Sequence, residues 1–365
     1  MKIIYRYLTR ELIMPFLFGV AAFTAIFIGT DILFTLTRLY NNFGVEFTTL
    51  VQLFFLKLPP IIVLTFPMAT LMGTLMSFGR LSGDGEITAF RAGGVSVYKI
   101  VIPSLLVGLI MSVTTIMVNE MVVPRANYLY DQIVWEIKNG RKMPATQYDL
   151  TLTPLDRKYR RPDYILYTHR FNGETGIMND VYLQDYEKGV PVTLIKARKA
   201  VWQGDKWHFY NGNIYYFKEG ERVPALKFNE YVIKQPIYTP RRIGKMNKDI
   251  EDMSFKELGE YIQFLEEQGK DTFEERVKYH QKIAIPFASF IFALLAAPLG
   301  IKPRRSGGTA TGMGLSIIVI FIYYTIMTLG SALGERGTIS PFFGAWLQNF
   351  IFLIVGGYMI YRMNK

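Results

Sequence analysis

Six long apolar runs constrain this sequence more than any other feature. Crossing the hydrocarbon core of a bilayer takes about 20 helical residues. The runs span residues 13–36, 58–78, 100–123, 283–301, 313–333 and 342–361. A polar stretch of roughly 160 residues separates the first three from the last three. We therefore predict a membrane α-helical protein with six transmembrane helices and one inserted domain.

The lysines and arginines beside these runs are distributed unequally between the two sides of the predicted membrane. One side collects Lys2, Arg6, Arg10, Arg80, Arg91, Lys99, Lys302, Arg304, Arg305, Arg362 and Lys365, and the short loops of the other hold Arg38, Lys57 and Arg336. Because basic residues mark the cytoplasmic side, we expect both termini inside the cell and the middle domain outside. This distribution accounts for much of the net charge of +11, so nucleic-acid binding is not favoured. The first run is too long for a signal peptide and lacks a small-residue cleavage site, so we expect an uncleaved span.

The middle domain has the pattern of an all-β fold. Segments rich in β-branched and aromatic residues, separated by turn sequences such as Asn172-Gly173 and Lys188-Gly189, indicate strands. They span residues 164–171, 177–186, 192–203, 207–217 and 223–233. Their spacing favours an antiparallel sandwich or jelly roll over a parallel sheet.

A capping-box pattern, Ser254 to Glu257, opens a helix after the strands. We expect its apolar stripe to pack on the β domain or on the membrane-proximal helices. The predicted organisation is a first membrane part (1–123), a β-jelly-roll-like domain (124–250), a helical connector (251–282) and a second membrane part (283–365).

The polar connector at 78–96, between the second and third runs, predicts one short helix near 84–92. Asp84 is the expected N-cap, and Glu86 lies in the first turn, where the helix dipole favours an acid. Arg91 lies near the end, and Gly93-Gly94 is a stop signal.

Two readings of this connector follow from the residues. Ile87 and Phe90 share one face of the predicted helix, and Glu86 has no basic residue three or four positions onward. An exposed apolar pair beside an acid without an intrahelical partner suits contact with another protein. A solvated connector with dipole-matched charges fits the same residues equally well.

Motifs for catalysis, metal binding or nucleotide binding are missing. The glycine run 307–314 has the spacing of a phosphate loop, but Met313 stands in place of the lysine and no strand precedes it. The three histidines, His169, His208 and His280, have no metal-ligand spacing and are expected to be structural. There is no Gly-x-Ser-x-Gly elbow and no cysteine. We therefore expect neither an enzyme nor a cofactor in this chain.

Three ionisable residues lie near the outer ends of the first two runs. Arg38 and Lys57 are candidates for contact with an anionic lipid headgroup, with snorkelling to the interface as the simpler alternative. Asp31 lies late in the first run, where it fits the outer interface.

Several motifs, in this order, resemble one protein family over essentially the whole chain. They are the start at residues 3–11, Phe66-Pro67-Met68, Gly79-Arg80-Leu81, Glu86-Ile87-Thr88, Ala92-Gly93-Gly94-Val95-Ser96 and residues 298–307. With three spans, a β domain and three further spans, the chain resembles the LptF/LptG family of lipopolysaccharide-export permeases.

The resemblance implies a permease of the Gram-negative inner membrane that pairs with a second six-span permease and binds two copies of a separate cytoplasmic ATPase. ATP is then used by that ATPase. Lipopolysaccharide leaves the outer leaflet between the first and fifth spans and passes through the periplasmic β-jelly-roll domain to a bridge protein.

The resemblance also assigns residues. Glu86 corresponds to the coupling-helix acid that engages an arginine of the ATPase, and Asp84, Ile87, Phe90 and Arg91 flank that contact. The basic residues by which some members contact lipid phosphates do not carry over, because Asp31 occupies that neighbourhood. Two alternatives are the permease of another lipid or lipoprotein extractor and a non-transporting membrane anchor or sensor.

Overall fold

The computed structural model describes residues 2–140, 146–155, 161–218, 221–233, 237–244, 248–301 and 309–363. The chain divides into two compact units. One contains Met1–Gly140 and Phe273–Lys365, and the other contains Arg141–Thr272. Most of the predicted loop motif at 298–307, and the start of the glycine run, lie outside the described residues.

The first unit is helical. Its elements are α1 (Lys2–Phe27), a π-helical turn (Ile28–Ile32), α2 (Leu33–Phe43), α3 (Phe47–Gly83), α4 (Glu86–Ala92), α5 (Val97–Met121), α6 (Val123–Asn139), α9 (Phe273–Ile301), α10 (Thr309–Glu335) and α11 (Pro341–Met363). Six helical segments are long and apolar enough to cross a membrane, and each contains all or nearly all of one predicted run. The prediction of six spans is confirmed. Residues 124–139, assigned from the sequence to the β domain, instead form most of α6.

Small residues allow the long helices to approach closely. A Cβ atom placed on Gly73 of α3 would lie 2.9 Å from the Cα of Phe16 in α1. One placed on Gly300 of α9 would lie 2.7 Å from the Cβ of Phe78 in α3. Because lipid tails are as apolar as the helices, such close van der Waals packing is a main source of helix association in membranes. Helices α1 and α9 therefore both pack tightly against α3.

The second unit contains one antiparallel sheet in the order β1-β2-β3-β4-β5-β6. The strands are β1 (Thr146–Leu152), β2 (Tyr164–Asn172), β3 (Ile177–Glu187), β4 (Val190–Gln203), β5 (Lys206–Lys218) and β6 (Glu221–Val232). The five predicted strands agree with β2 to β6, and β1 is additional. Each strand pairs with the next one along the chain, which is the order of a β-meander. The predicted antiparallel arrangement is therefore present, in a single sheet with sequential strand order.

The strands bend sharply at one row of residues that crosses the sheet, and we call this bend the crease. Asp149, Asp180 and Asn211 have positive φ angles of 54°, 52° and 54°. The register of the neighbouring residue pairs places Asp149 of β1 and Asp180 of β3 on either side of His169 in β2. It also places Asp180 and Asn211 of β5 on either side of Arg198 in β4. The three residues with positive φ therefore lie in one row across the sheet. Asp and Asn are the non-glycine residues that enter the left-handed region most readily.

The crease reverses the alternation of side chains along each strand. Buried residues normally recur every second position in a strand, but across this row they are three apart, as in Thr168 and Phe171 of β2. The same interval separates Met178 from Val181 in β3. Both halves of the bent sheet therefore turn their apolar side chains towards one core.

Three shorter helices complete this unit: α7 (Pro240–Gly244), a 3₁₀ turn (Ile250–Asp252) and α8 (Phe255–Glu267). The predicted capping box of α8 is present, since Ser254 Oγ accepts from the Glu257 N–H and Glu257 Oε2 accepts from the Ser254 N–H. Phe264 and Leu265 of α8 belong to the core of the sheet. The apolar stripe of α8 thus packs on the β domain.

Candidate functional site

The connector between α3 and α5 folds as predicted at its end but differently at its start. The N-cap of α4 is Gly85, with φ +75°, and Asp84 instead terminates α3. The predicted capping role of Asp84 is therefore wrong. The tight change of direction between two helices needs a left-handed residue, which glycine supplies without steric cost. At the other end, Gly94 has φ +82° and its N–H donates to the Arg91 carbonyl.

The apolar residues of α4 have separate environments. Ile87 is buried, with 3% of its surface exposed. It belongs to a cluster of buried residues: Leu8, Leu12, Phe78, Leu81, Ile87, Val97, Ile100, Val101, Leu294, Ala297, Ile301 and Ile360. Phe90 packs against this cluster and is half-buried. The expected exposed apolar pair is therefore not present, and Ile87 instead anchors the helix.

Glu86 has a partner from a distant part of the chain. The Tyr7 hydroxyl of α1 donates a hydrogen bond of 2.7 Å to Glu86 Oε2. The sequence correctly indicated that α4 itself supplies no partner, but it did not identify Tyr7. The only available signal was that Tyr7, Leu8, Glu11 and Leu12 recur at helical spacing, which marks a packing face without naming the surface that it contacts.

Glu11, one turn after Tyr7, holds α1 to the end of α3. Its carboxylate forms an ion pair with Arg80. Its backbone carbonyl accepts a 2.9 Å hydrogen bond from Ser77 Oγ. This carbonyl lies four residues before Pro15, and proline has no N–H to satisfy it within the helix. Ser77 replaces the missing donor, so the proline of α1 creates a specific attachment to α3.

The end of α9 holds the other side of the connector. Ser82 Oγ donates a 2.8 Å hydrogen bond to the carbonyl of Ile301, the last described residue of α9. Gly300 also contacts α3, as described above. The connector is thus fixed by α1 and α9 as well as by the helices that it joins.

The exposed side of α4 carries charged and aromatic side chains. Asp84, Thr88 and Arg91 are exposed, and Glu86 and Phe90 are half-buried beside them. Within the described ranges, no group of three or more histidine, aspartate, glutamate or cysteine side chains is arranged to hold a metal ion. A carboxylate, an aromatic edge and an arginine on one rigid short helix suit recognition of a charged protein surface.

The candidate headgroup residues have different surroundings. The Lys57 ammonium lies 4.8 Å from the centre of the Tyr130 ring in a cation–π contact. Arg38 is exposed on α2. Asp31 lies in the π-helical turn Ile28–Ile32, which interrupts the first span. Such turns are frequent at functional sites.

The two histidines of the sheet pair with single carboxylates. His169 Nδ1 lies 3.0 Å from Asp149, and His208 Nδ1 lies 2.8 Å from Glu230. The pKa of Asp149 is lowered by hydrogen bonds from Tyr167 and His169. The pKa of Glu230 is lowered in the same way, first by His208 and then by Tyr210. These are surface pairs, in agreement with structural roles for both histidines.

Comparison with known proteins gives a consistent result. A family model described as "Lipopolysaccharide export system permease LptF/LptG" matches residues 6–362. The LptG permease protein of Haemophilus influenzae is 23% identical over 319 residues, covering 84% of each chain. The LptG protein of Escherichia coli K12 is 20% identical, over 89% of this chain and 87% of the relative. The LptF protein of the same strain is 21% identical, over 96% and 92%.

Proposed function

Because the chain belongs to the lipopolysaccharide export system permease LptF/LptG family, we propose that it is a permease subunit of an ATP-driven lipopolysaccharide exporter in the inner membrane. The carrying observation is the family match over residues 6–362. The six spans with their inserted antiparallel sheet are consistent with it. The proposed partners are a second permease of the same family, a separate cytoplasmic ATPase dimer and a periplasmic bridge protein.

The proposed orientation places the termini and the connector in the cytoplasm and the sheet in the periplasm. Its support is the excess of lysine and arginine beside one set of span ends. In this orientation α4 faces the ATPase and the bent sheet faces the bridge protein.

Energetics favours a path that keeps the acyl chains away from water. Each buried methylene is worth about 0.8 kcal/mol, so exposing several chains at once costs on the order of 50 kcal/mol. The lipid therefore moves from the bilayer to an apolar cavity between two permeases and then to the β domain. Phe18 and Ile26 of α1 and Phe321 of α10 are large apolar side chains with at least half of their surface exposed. They suit a cavity wall between the first and fifth spans.

The proposed coupling site is α4, with Glu86 as the acid that receives a cation of the ATPase. Exposed Asp84 and Arg91 and half-buried Phe90 flank it, and Ile87 holds the helix to the transmembrane core. Because the connector is bonded to both α1 and α9, closure of the ATPase dimer moves the helices around the cavity.

The test is nucleotide-dependent crosslinking of labelled lipopolysaccharide. A photoreactive amino acid placed at Phe321 or Phe18 in the purified complex should crosslink to the lipid, and ATP should reduce the crosslink as the cavity closes. The same probe at Tyr358, an exposed residue of α11, is the matched control. A different preferred lipid would identify another extractor. A chain that purifies without an ATPase or second permease and does not crosslink would indicate an anchor or sensor.

A further inference from the structure

The hydroxyl of Tyr7 lies against the one acid proposed to dock the ATPase. We propose that Tyr7 is a positioning residue, which orients the Glu86 carboxylate for the partner's cation and links the docking point directly to the first span. This inference rests on the proposed coupling function of α4. In this role Tyr7 does not contact the ATPase and acts only through Glu86.

The geometry leaves one carboxylate oxygen available. Tyr7 donates to Glu86 Oε2 at 2.7 Å. Among the residues that the structure describes, none donates to Oε1. A carboxylate held by one oxygen therefore presents the other in a defined direction to an incoming guanidinium or ammonium group. Hydrogen bonds with an ionised donor or acceptor are stronger than neutral ones, so the direction in which this oxygen points affects binding.

Both ends of the Tyr7–Glu86 bond are themselves held in place. On one side, the neighbouring residue Leu8 is 1% exposed, and the ion pair of Glu11 with Arg80 fixes the next turn of α1. On the other side, buried Ile87 fixes the backbone beside Glu86. A glutamate side chain has three rotatable bonds, and the loss of their freedom on binding opposes association. The Tyr7 bond has already restricted that freedom before the partner arrives.

The bond also gives the docking point a direct connection to α1. Force applied to Glu86 reaches Tyr7 without passing through the backbone of α3. The packing of Gly73 against Phe16 then holds α1 and α3 together further along the span. Helix α1 leads into the π-helical turn Ile28–Ile32, so the bond connects the docking point to the first span as far as that turn.

The experiment is a double-mutant cycle on the complete permease pair, with the dissociation constant of the ATPase dimer as the readout. Tyr7→Phe removes the hydroxyl and keeps the ring, and should weaken ATPase binding about 2- to 10-fold, the range for one hydrogen bond. In a Glu86→Ala background, which itself weakens binding, the same change should have no further effect. Tyr98→Phe is the matched control, because Tyr98 is exposed beside the connector and should leave binding unchanged.

The outcomes separate this inference from the proposed function. If Tyr7→Phe reduced the affinity for the ATPase equally in the wild-type and Glu86→Ala backgrounds, Tyr7 would only support the fold, and the inference would be overturned. The inference would also be overturned if Tyr7→Phe bound the ATPase as wild type does while Glu86→Ala bound it more weakly. If Glu86→Ala itself binds the ATPase normally, the coupling role of Glu86 fails and the inference fails with it. A thermal-unfolding midpoint equal to wild type confirms that Tyr7→Phe is folded.

Discussion

Replacing Ile87 by alanine should open α4 without unfolding the transmembrane core. Ile87 is the single buried residue of this seven-residue helix. Isolated helices shorter than about 12 residues are marginal in water, so α4 depends on that contact. Large-to-alanine changes at buried sites cost about 2 to 4 kcal/mol, within the usual range. At about 1.4 kcal/mol per factor of ten, the open population of α4 should rise about 30- to 700-fold.

Hydrogen exchange measured by mass spectrometry reports this opening directly, because amide exchange follows the free energy of local unfolding. The amides of α4, such as Ala89, which bonds to the Gly85 carbonyl, should exchange faster by that factor. Peptides from the middle of α3 should be unchanged. Thr88→Ala is the control, since Thr88 is exposed on the same helix and its loss should leave exchange within a few-fold of wild type.

Two results would contradict local anchoring of α4 by Ile87. Unchanged exchange in α4 would mean that Ile87 does not anchor the helix. Equal acceleration in α3 and α5 would mean that the connector does not open as a separate unit.

Three further predictions concern packing, backbone and charge. Gly73→Val should lower the thermal midpoint of the helical unit, at a cost of about 1 to 3 kcal/mol, because its side chain would meet the backbone of Phe16; an unchanged midpoint would contradict the close approach of α1 and α3. Asn211→Gly should keep or raise the thermal stability of the β unit, whereas Asn211→Val should lower it by about 1 to 3 kcal/mol, because φ is +54° there; equal stabilities would contradict the crease. For Glu257, burial is the largest influence and opposes ionisation, but Lys248 and Ser254 outweigh it and lower the pKa below its usual 4.5. The ionised Glu257 therefore stabilises the fold fully above pH 4.5, and this stabilisation is lost as the pH falls from 4.5 through the lowered pKa. Glu257→Gln should accordingly reduce the acid sensitivity of the thermal midpoint. A pH profile of the midpoint equal to that of wild type would contradict this prediction.

The features that could be predicted from the sequence are those with a local cause. The spans follow from length and apolarity, the strands β2 to β6 follow from composition and turn residues, and the capping box follows from the spacing of Ser254 and Glu257. The end of α4 is equally local, because only glycine enters the left-handed region without cost.

The features that could not be predicted depend on contacts between distant residues. Tyr7 and Glu86 are 79 positions apart, and no periodicity connects them. Ile87 has the sequence pattern of an exposed residue on a short helix, and its burial depends on a cluster of residues from distant parts of the chain. Strand β1 contains Asp149, a residue that is depleted in strands, and its left-handed conformation makes sense only in the crease that it shares with Asp180 and Asn211.

A charge exchange at Glu86 shows whether α4 couples the permease to the ATPase. The assay is ATP-dependent transfer of lipopolysaccharide from proteoliposomes containing the complete complex to a soluble periplasmic acceptor. Glu86→Arg should abolish transfer while the permease remains inserted and folded, and an arginine-to-glutamate change at the facing position of the ATPase should restore part of it. Normal transfer by Glu86→Arg would contradict the coupling role of α4.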